Sequence, residues 1–213
     1  MYTETIIQTL SVCGIIAFAV SGAMVAISKH TDIFGVTALA VVTATGGGII
    51  RDTLLGILPP KIFLDCSYVL IAAATALIVF LSAWLGKDYY RRNTEMLDGV
   101  NNIFDAIGLG IFVVTGSQAA IDYGFLHNGF LVIFIGTITG IGGGVLRDIM
   151  VKEIPFVLKK RIYALAAVSG SLVFYILYTA GCHYAVSAFS GVFFTFAVRM
   201  LATYFKWDLP SAY

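Results

Sequence analysis

One phrase occurs twice in this chain. Gly46-Gly47-Gly48-Ile49-Ile50-Arg51-Asp52 returns as Gly142-Gly143-Gly144-Val145-Leu146-Arg147-Asp148, each copy toward the end of a long apolar run. A glycine in a helix interior costs about 1 kcal/mol relative to alanine. A charge near the bilayer centre costs about 2.5–3.5 kcal/mol on insertion scales. A chain that carries both penalties at two corresponding places is built around them. Matched, glycine-interrupted apolar segments in two halves point to a transport site between the halves.

The apolar context is a membrane. Of 213 residues, 59% are hydrophobic and 12% charged, against about 25% charged in soluble domains; mean hydropathy is +0.93. Seven stretches approach the roughly 20 residues a helix needs to cross a bilayer: Thr5–Ser28, Phe34–Leu55, Ser67–Gly86, Gly99–Ala120, Asn128–Met150, Ile162–Ala180 and Tyr184–Tyr204. The first is not a cleavable signal, because Glu4 precedes it, no Lys or Arg does, and its apolar run is too long.

Basic residues set the orientation. With the two motif arginines set aside, Lys29, Lys87, Arg91, Arg92, Lys152, Lys159, Lys160, Arg161, Arg199 and Lys206 fall on one side of seven crossings, and Lys61 on the other. The N-terminus is therefore expected outside and the C-terminus in the cytoplasm. A net charge of +1 gives no reason to expect nucleic acid as a partner. Cys13, Cys66 and Cys182 are dispersed, without metal spacing, and read as small apolar fillers, with a Cys66–Cys182 bridge left open. No cofactor, structural metal or enzyme motif is expected. The glycine triplet lacks the Lys-Ser/Thr of a phosphate loop, and neither His-Glu-x-x-His nor a nucleophile elbow occurs.

The duplication extends beyond the phrase. At an offset of 96, Thr43 matches Thr139 and Pro59 matches Pro155; at 94, Gly14, Phe18, Gly22 and Ala26 fall on Gly108, Phe112, Gly116 and Ala120; at 95, Tyr68 falls on Tyr163. Each unit is three spans. Three is odd, so the second unit enters the membrane from the opposite side, and the two are related by a pseudo-twofold axis in the membrane plane. The expected fold is an all-α integral membrane protein: two inverted three-helix repeats, about 5–86 and 99–180, a polar linker at about 87–98, and a seventh helix at about 184–205, forming a single membrane domain.

Three adjacent glycines invite a kink or an unwound turn. A break at Gly46, Gly47 and Gly48, or at Gly142, Gly143 and Gly144, frees backbone groups that lipid cannot satisfy and that must face protein or water. Arg51 and Arg147 pair either with the adjacent Asp52 and Asp148 or across the units. If helix resumes, Arg51 shares a face with Gly47 and can fold back over the freed carbonyls. The competing reading of the same glycines is close helix packing, as in Gly136-x-x-x-Gly140-x-x-x-Gly144. Weaker candidates for a polar wall are Ser21, Thr43, Thr45, Thr137, Thr139 and Asp105; Ser and Thr often simply bond their own helix. Asp105 is matched by Ser11, so no symmetric carboxylate exists. His30, His127 and His183 read as loop or interface residues.

These features resemble the trimeric intracellular cation (TRIC) channels, most closely their short prokaryotic members. Supporting segments are Phe18-Ala19-Val20-Ser21-Gly22-Ala23, Leu54-Leu55-Gly56 with Pro59-Pro60, and Arg161-Ile162-Tyr163-Ala164-Leu165. The resemblance implies a homotrimer with a pore through each protomer, running between the repeats, kinked at the two triglycines and conducting potassium, with sodium less favoured. It implies a prokaryotic plasma membrane, with membrane lipids as neighbours. Desolvated arginines also suit a zwitterion, and the same domain family carries the label of a glycine transporter, which is the second reading. A non-conducting scaffold is the third.

Overall fold

The structure, a computed structural model, describes residues 2–159 and 162–207, apart from the side chains of Tyr2 and Arg91. Lys160 and Arg161, counted in the charge bias, lie outside the described residues. Among the described residues seven helices are long and apolar enough to cross a membrane: α1 (Tyr2–Ser28), α2 (Ile33–Leu54), α3 (Ser67–Leu85), α5 (Thr94–Ala120), α6 (Gly129–Met150), α8 (Ile162–Thr179) and α9 (Tyr184–Tyr204). Two short helices, α4 (Lys87–Arg92) and α7 (Phe156–Lys159), lie between them. The expected polar linker is thus mostly helical. Its charges mark the exit from the bilayer rather than the end of helix, and only Asn93 separates α4 from α5.

Equivalent devices bound the equivalent helices. The Asp32 carboxylate accepts from Gly35 N–H at 2.7 Å to cap α2, and Asn128 accepts from Leu131 N–H at 3.1 Å to cap α6. Past the C-termini, Ile57 N–H donates to Asp52 O and Glu153 N–H to Asp148 O. Gly56 and Lys152, 96 residues apart, both take positive φ there, +73° and +58°. In the second repeat α5 runs on through a π-helical turn, Ile121–Phe125, which ends in Gly124 at φ 90°.

The inverted symmetry is visible contact by contact. An added Cβ at Gly47 would land on the carbonyl oxygen of Thr139, and one at Gly143 on that of Thr43. The Leu146 side chain lies over Gly46, and Ile50 over Gly142. Gly22 receives Thr43 and Ala40, and Gly116 receives Thr139 and Gly136. Phe18 and Phe112, equivalent residues, meet with centroids 5.1 Å apart at the centre of the bundle. Each contact maps onto its partner when the repeats are exchanged, as a twofold relation requires. α1 and α5 form the buried middle, whereas α3, α8 and α9 show apolar side chains such as Leu70, Ile78, Leu172 and Phe193 outward, as a lipid-facing surface does.

Of the kink or unwound turn expected at the triglycines, the unwound turn is not found: both segments are α-helical throughout α2 and α6. The glycines do the other thing open to them: they remove side chains where two backbones meet. No carbonyls are freed, so the proposed cover of Arg51 over broken helix has nothing to satisfy. Cys13, Cys66 and Cys182 are all free and exposed, so the bridge left open in the sequence is not made.

Candidate functional site

Four residues past each crossing glycine stands an arginine. Its neighbour in sequence is an aspartate that points about 100° around the helix, and the long guanidinium curls back to reach it. Arg51 Nε donates to Asp52 Oδ1 at 2.8 Å; Arg147 Nε donates to Asp148 Oδ1 at 2.9 Å. The second oxygen of each carboxylate ties down the following loop. Asp52 Oδ2 accepts from Lys61 N–H at 2.9 Å, and Asp148 Oδ2 from Phe156 N–H at 2.7 Å. Each arginine therefore pairs within its own repeat.

Beyond that shared frame the two sites diverge. Arg147 is 3% exposed and has further partners: its NH1 donates to Ser21 Oγ at 2.6 Å and to Asp105 Oδ1 at 2.9 Å. Arg51 retains 17% side-chain exposure and pairs with Asp52 alone among the described residues. Sequence explains the difference. The counterpart of Asp105 is Ser11, which carries no charge. The counterpart of Ser21 is Thr115, whose buried Oγ1 has no hydrogen-bond partner among the described residues. A Cβ on Gly144 would meet the Tyr163 hydroxyl at 3.1 Å, while at Gly48 the nearest atom is Arg51 NH2 at 3.8 Å. The second site is filled and roofed; the first is open.

Two expected site residues, Ser21 and Asp105, are brought onto Arg147. Thr43 and Thr139 are not wall residues in this arrangement. Both are fully buried between helices and give their hydroxyls to Leu39 O and Ile135 O at 2.6 Å. Thr45 likewise bonds Val41 O, whereas Thr137 keeps a buried, unpartnered Oγ1.

Sequence reasoning missed Arg199 as a site residue and counted it as a cytoplasmic flank. It is 2% exposed. Its guanidinium carbon stands 4.9 Å from the ring centroids of both Phe156 and Tyr163. NH2 donates to Asn102 Oδ1 at 2.8 Å and NH1 to Thr203 Oγ1 at 3.1 Å, and Nε is buried with no hydrogen-bond partner among the described residues. The available signal was spacing: Thr195, Arg199 and Thr203 recur every four residues on one face of an otherwise apolar helix.

A cavity of about 1110 Å³ leads to this region. Its walls come from the ends of α1, α3, α5, α6 and α9, and Asp105, Arg147, Asp148 and Arg199 all line it. At its rim Lys29 and Lys159 hydrogen-bond Glu153, which holds that carboxyl below the usual glutamate range. The arrangement joins an open cavity to a buried charged cluster that includes a contact between the repeats, Arg147 to Ser21.

Comparison with known proteins agrees with the geometry. A family model described as "Glycine transporter" matches residues 8–84 and 102–179, the two stretches that form the repeats. The UPF0126 membrane protein YvgT of Bacillus subtilis is 38% identical over 207 residues, covering 96% of this chain and 95% of its own. The UPF0126 inner membrane protein YadS of Escherichia coli K12 is 32% identical, covering 97% and 96%. Among solved structures, a prokaryotic TRIC channel in 0.5 M KCl is 38% identical with a TM-score of 0.85, over 98% of this chain and all of that one. The TRIC trimeric intracellular cation channel orthologue from Rhodobacter sphaeroides is 32% identical with a TM-score of 0.84, covering 95% of this chain and 100% of its own.

Proposed function

This chain belongs to the family that joins the UPF0126 membrane proteins to the prokaryotic TRIC channels, and from that premise we propose that it is a channel for monovalent cations. Potassium is the first candidate ion and sodium the second. The path runs through each protomer along the seam between the inverted repeats, past Arg147 at one end and Arg51 at the other. Three protomers assemble in a plasma membrane among its lipids, with the N-terminus outside, so that the large cavity opens to the cytoplasm.

One observation carries this reading: the large cavity ends on a buried cluster of charge at the repeat interface, not on apolar core. Charged side chains deep in a membrane bundle mark ion or substrate paths. Neither arginine stands uncompensated. Each has an aspartate at hydrogen-bond distance, which reduces the barrier a lone guanidinium would raise against a cation.

Glycine transport is the second reading, favoured by the free edge of Arg51, which can receive a carboxylate. Planar-bilayer recording from the purified protein separates the two. A channel gives unitary currents and a potassium reversal potential. A carrier gives no unitary steps but saturable counterflow of labelled glycine. Absence of unitary currents with such counterflow overturns the channel.

A further inference from the structure

The second repeat carries one carboxylate that the first lacks. Arg147 with Asp148 and Asp105 sums to one net negative charge, whereas Arg51 with Asp52 sums to zero. The seventh helix, which has no counterpart in the duplication, brings one extra buried cation, Arg199, to the wall of the same cavity. Among the described residues no carboxylate lies within ion-pair distance of it; its contacts are two aromatic faces and two neutral oxygens. The other described charges lining that cavity are two of each sign, Lys29 and Lys87 with Glu153 and Asp98, and Lys159 also bonds Glu153 at the rim.

We propose that Arg199 is a selectivity-determining residue, a fixed counter-charge on the leftover helix that cancels Asp105 and sets the potential of the inner mouth to near zero. The proposal rests on the channel reading. It also assigns the seventh helix a task. Phe156 ties Arg199 to the same ionic cluster, since its ring carries Arg199 and its N–H donates to Asp148, the other carboxylate on Arg147. A low-dielectric cleft focuses a single uncompensated charge into a change in local ion concentration.

The test is single-channel recording of the full-length protein in about 20 mM and 1 M KCl. Arg199→Met leaves the mouth negative and raises potassium conductance in dilute salt about two- to five-fold, with a reversal potential shifted toward stronger cation selectivity. Asp105→Asn leaves it positive and lowers both. Arg199→Lys keeps the charge and behaves as wild type, and the Arg199→Met, Asp105→Asn double variant returns to it. In 1 M salt the differences collapse, because the Debye length falls to about 3 Å. If Arg199→Lys behaves like Arg199→Met, the guanidinium acts by packing and the proposal is wrong. If the double variant shows no recovery, the two charges are not coupled and it is equally wrong. Should Arg199→Met not fold, Asp105→Asn, nearly isosteric, decides alone: unchanged dilute-salt conductance overturns the proposal. A wild-type protein that passes no current removes the channel reading, and this inference with it. Current in wild type with all variants alike removes the inference only.

Discussion

Arg147 and Arg51 occupy equivalent places on equivalent helices, yet one is locked and the other is not. Both bond the following aspartate, and both aspartates hold a loop N–H. Only Arg147 also reaches across the repeat interface, to Ser21, and takes a second carboxylate, Asp105, within its own repeat. Only Arg147 has Tyr163 and the Arg199 sandwich beside it. Duplication supplied one scaffold twice; the substitutions Ser11 for Asp105 and Thr115 for Ser21 then made the two ends different. The Arg147 end is a buried ionic network and the Arg51 end a single, partly exposed pair. An inverted repeat therefore does not imply a symmetric path.

That contrast predicts unequal responses to the same mutation. Arg147→Met strands Asp105 and Asp148 in a buried site, and removing one partner of a buried ionic network costs about 3–5 kcal/mol. Thermal unfolding in detergent should show the loss, and a near-neutral result would mean the inner network is not what it looks like. Gly47→Ala and Gly143→Ala come next. Each puts a methyl group against a carbonyl oxygen, an overpacking that costs about 1–3 kcal/mol, and because the crossing is reciprocal the two penalties should agree within error. A large difference between them would break the symmetry that the fold displays.

Arg51→Met should cost about 1 kcal/mol or less, as for partly solvated pairs, while altering conductance more than stability. Loss of fold in that variant would erase the distinction between the two ends. The smallest effect concerns the rim. Glu153 titrates below its ordinary value because Lys29 and Lys159 bond its ionised form. The stability this adds is present above the unfolded glutamate value of about 4.3 and is lost as pH falls through the lower folded value. Glu153→Gln should therefore narrow the gap in melting temperature between neutral and acidic pH, slightly, and leave the acidic value unmoved.

Much of this was legible in the chain. The seven spans and their odd-numbered repeat follow from apolar length and counting, whereas the sequence left open whether each Arg pairs with the next Asp or across the units. The triglycines were ambiguous for a physical reason. The same residues serve a broken helix or a close crossing, and only the partner helix, invisible in one dimension, decides between them. Thr43 and Thr139 failed as wall residues for a related reason, since a hydroxyl next to a small-residue groove is buried by the neighbour that the groove admits. Arg199 was hidden by its position, five residues from a span end, where a long cationic side chain ordinarily reaches for the headgroups. Its fourfold spacing with Thr195 and Thr203 was the clue. The helical linker was obscured because polarity and loss of helix look alike where a chain leaves the bilayer.

The reciprocal seating of Gly47 on Thr139 and Gly143 on Thr43 restricts what either position can hold. Each glycine rests on bare main chain belonging to the other repeat. A carbonyl oxygen cannot be trimmed by changing a side chain, so a larger residue at either place finds no compensating substitution opposite and must push the two helices apart.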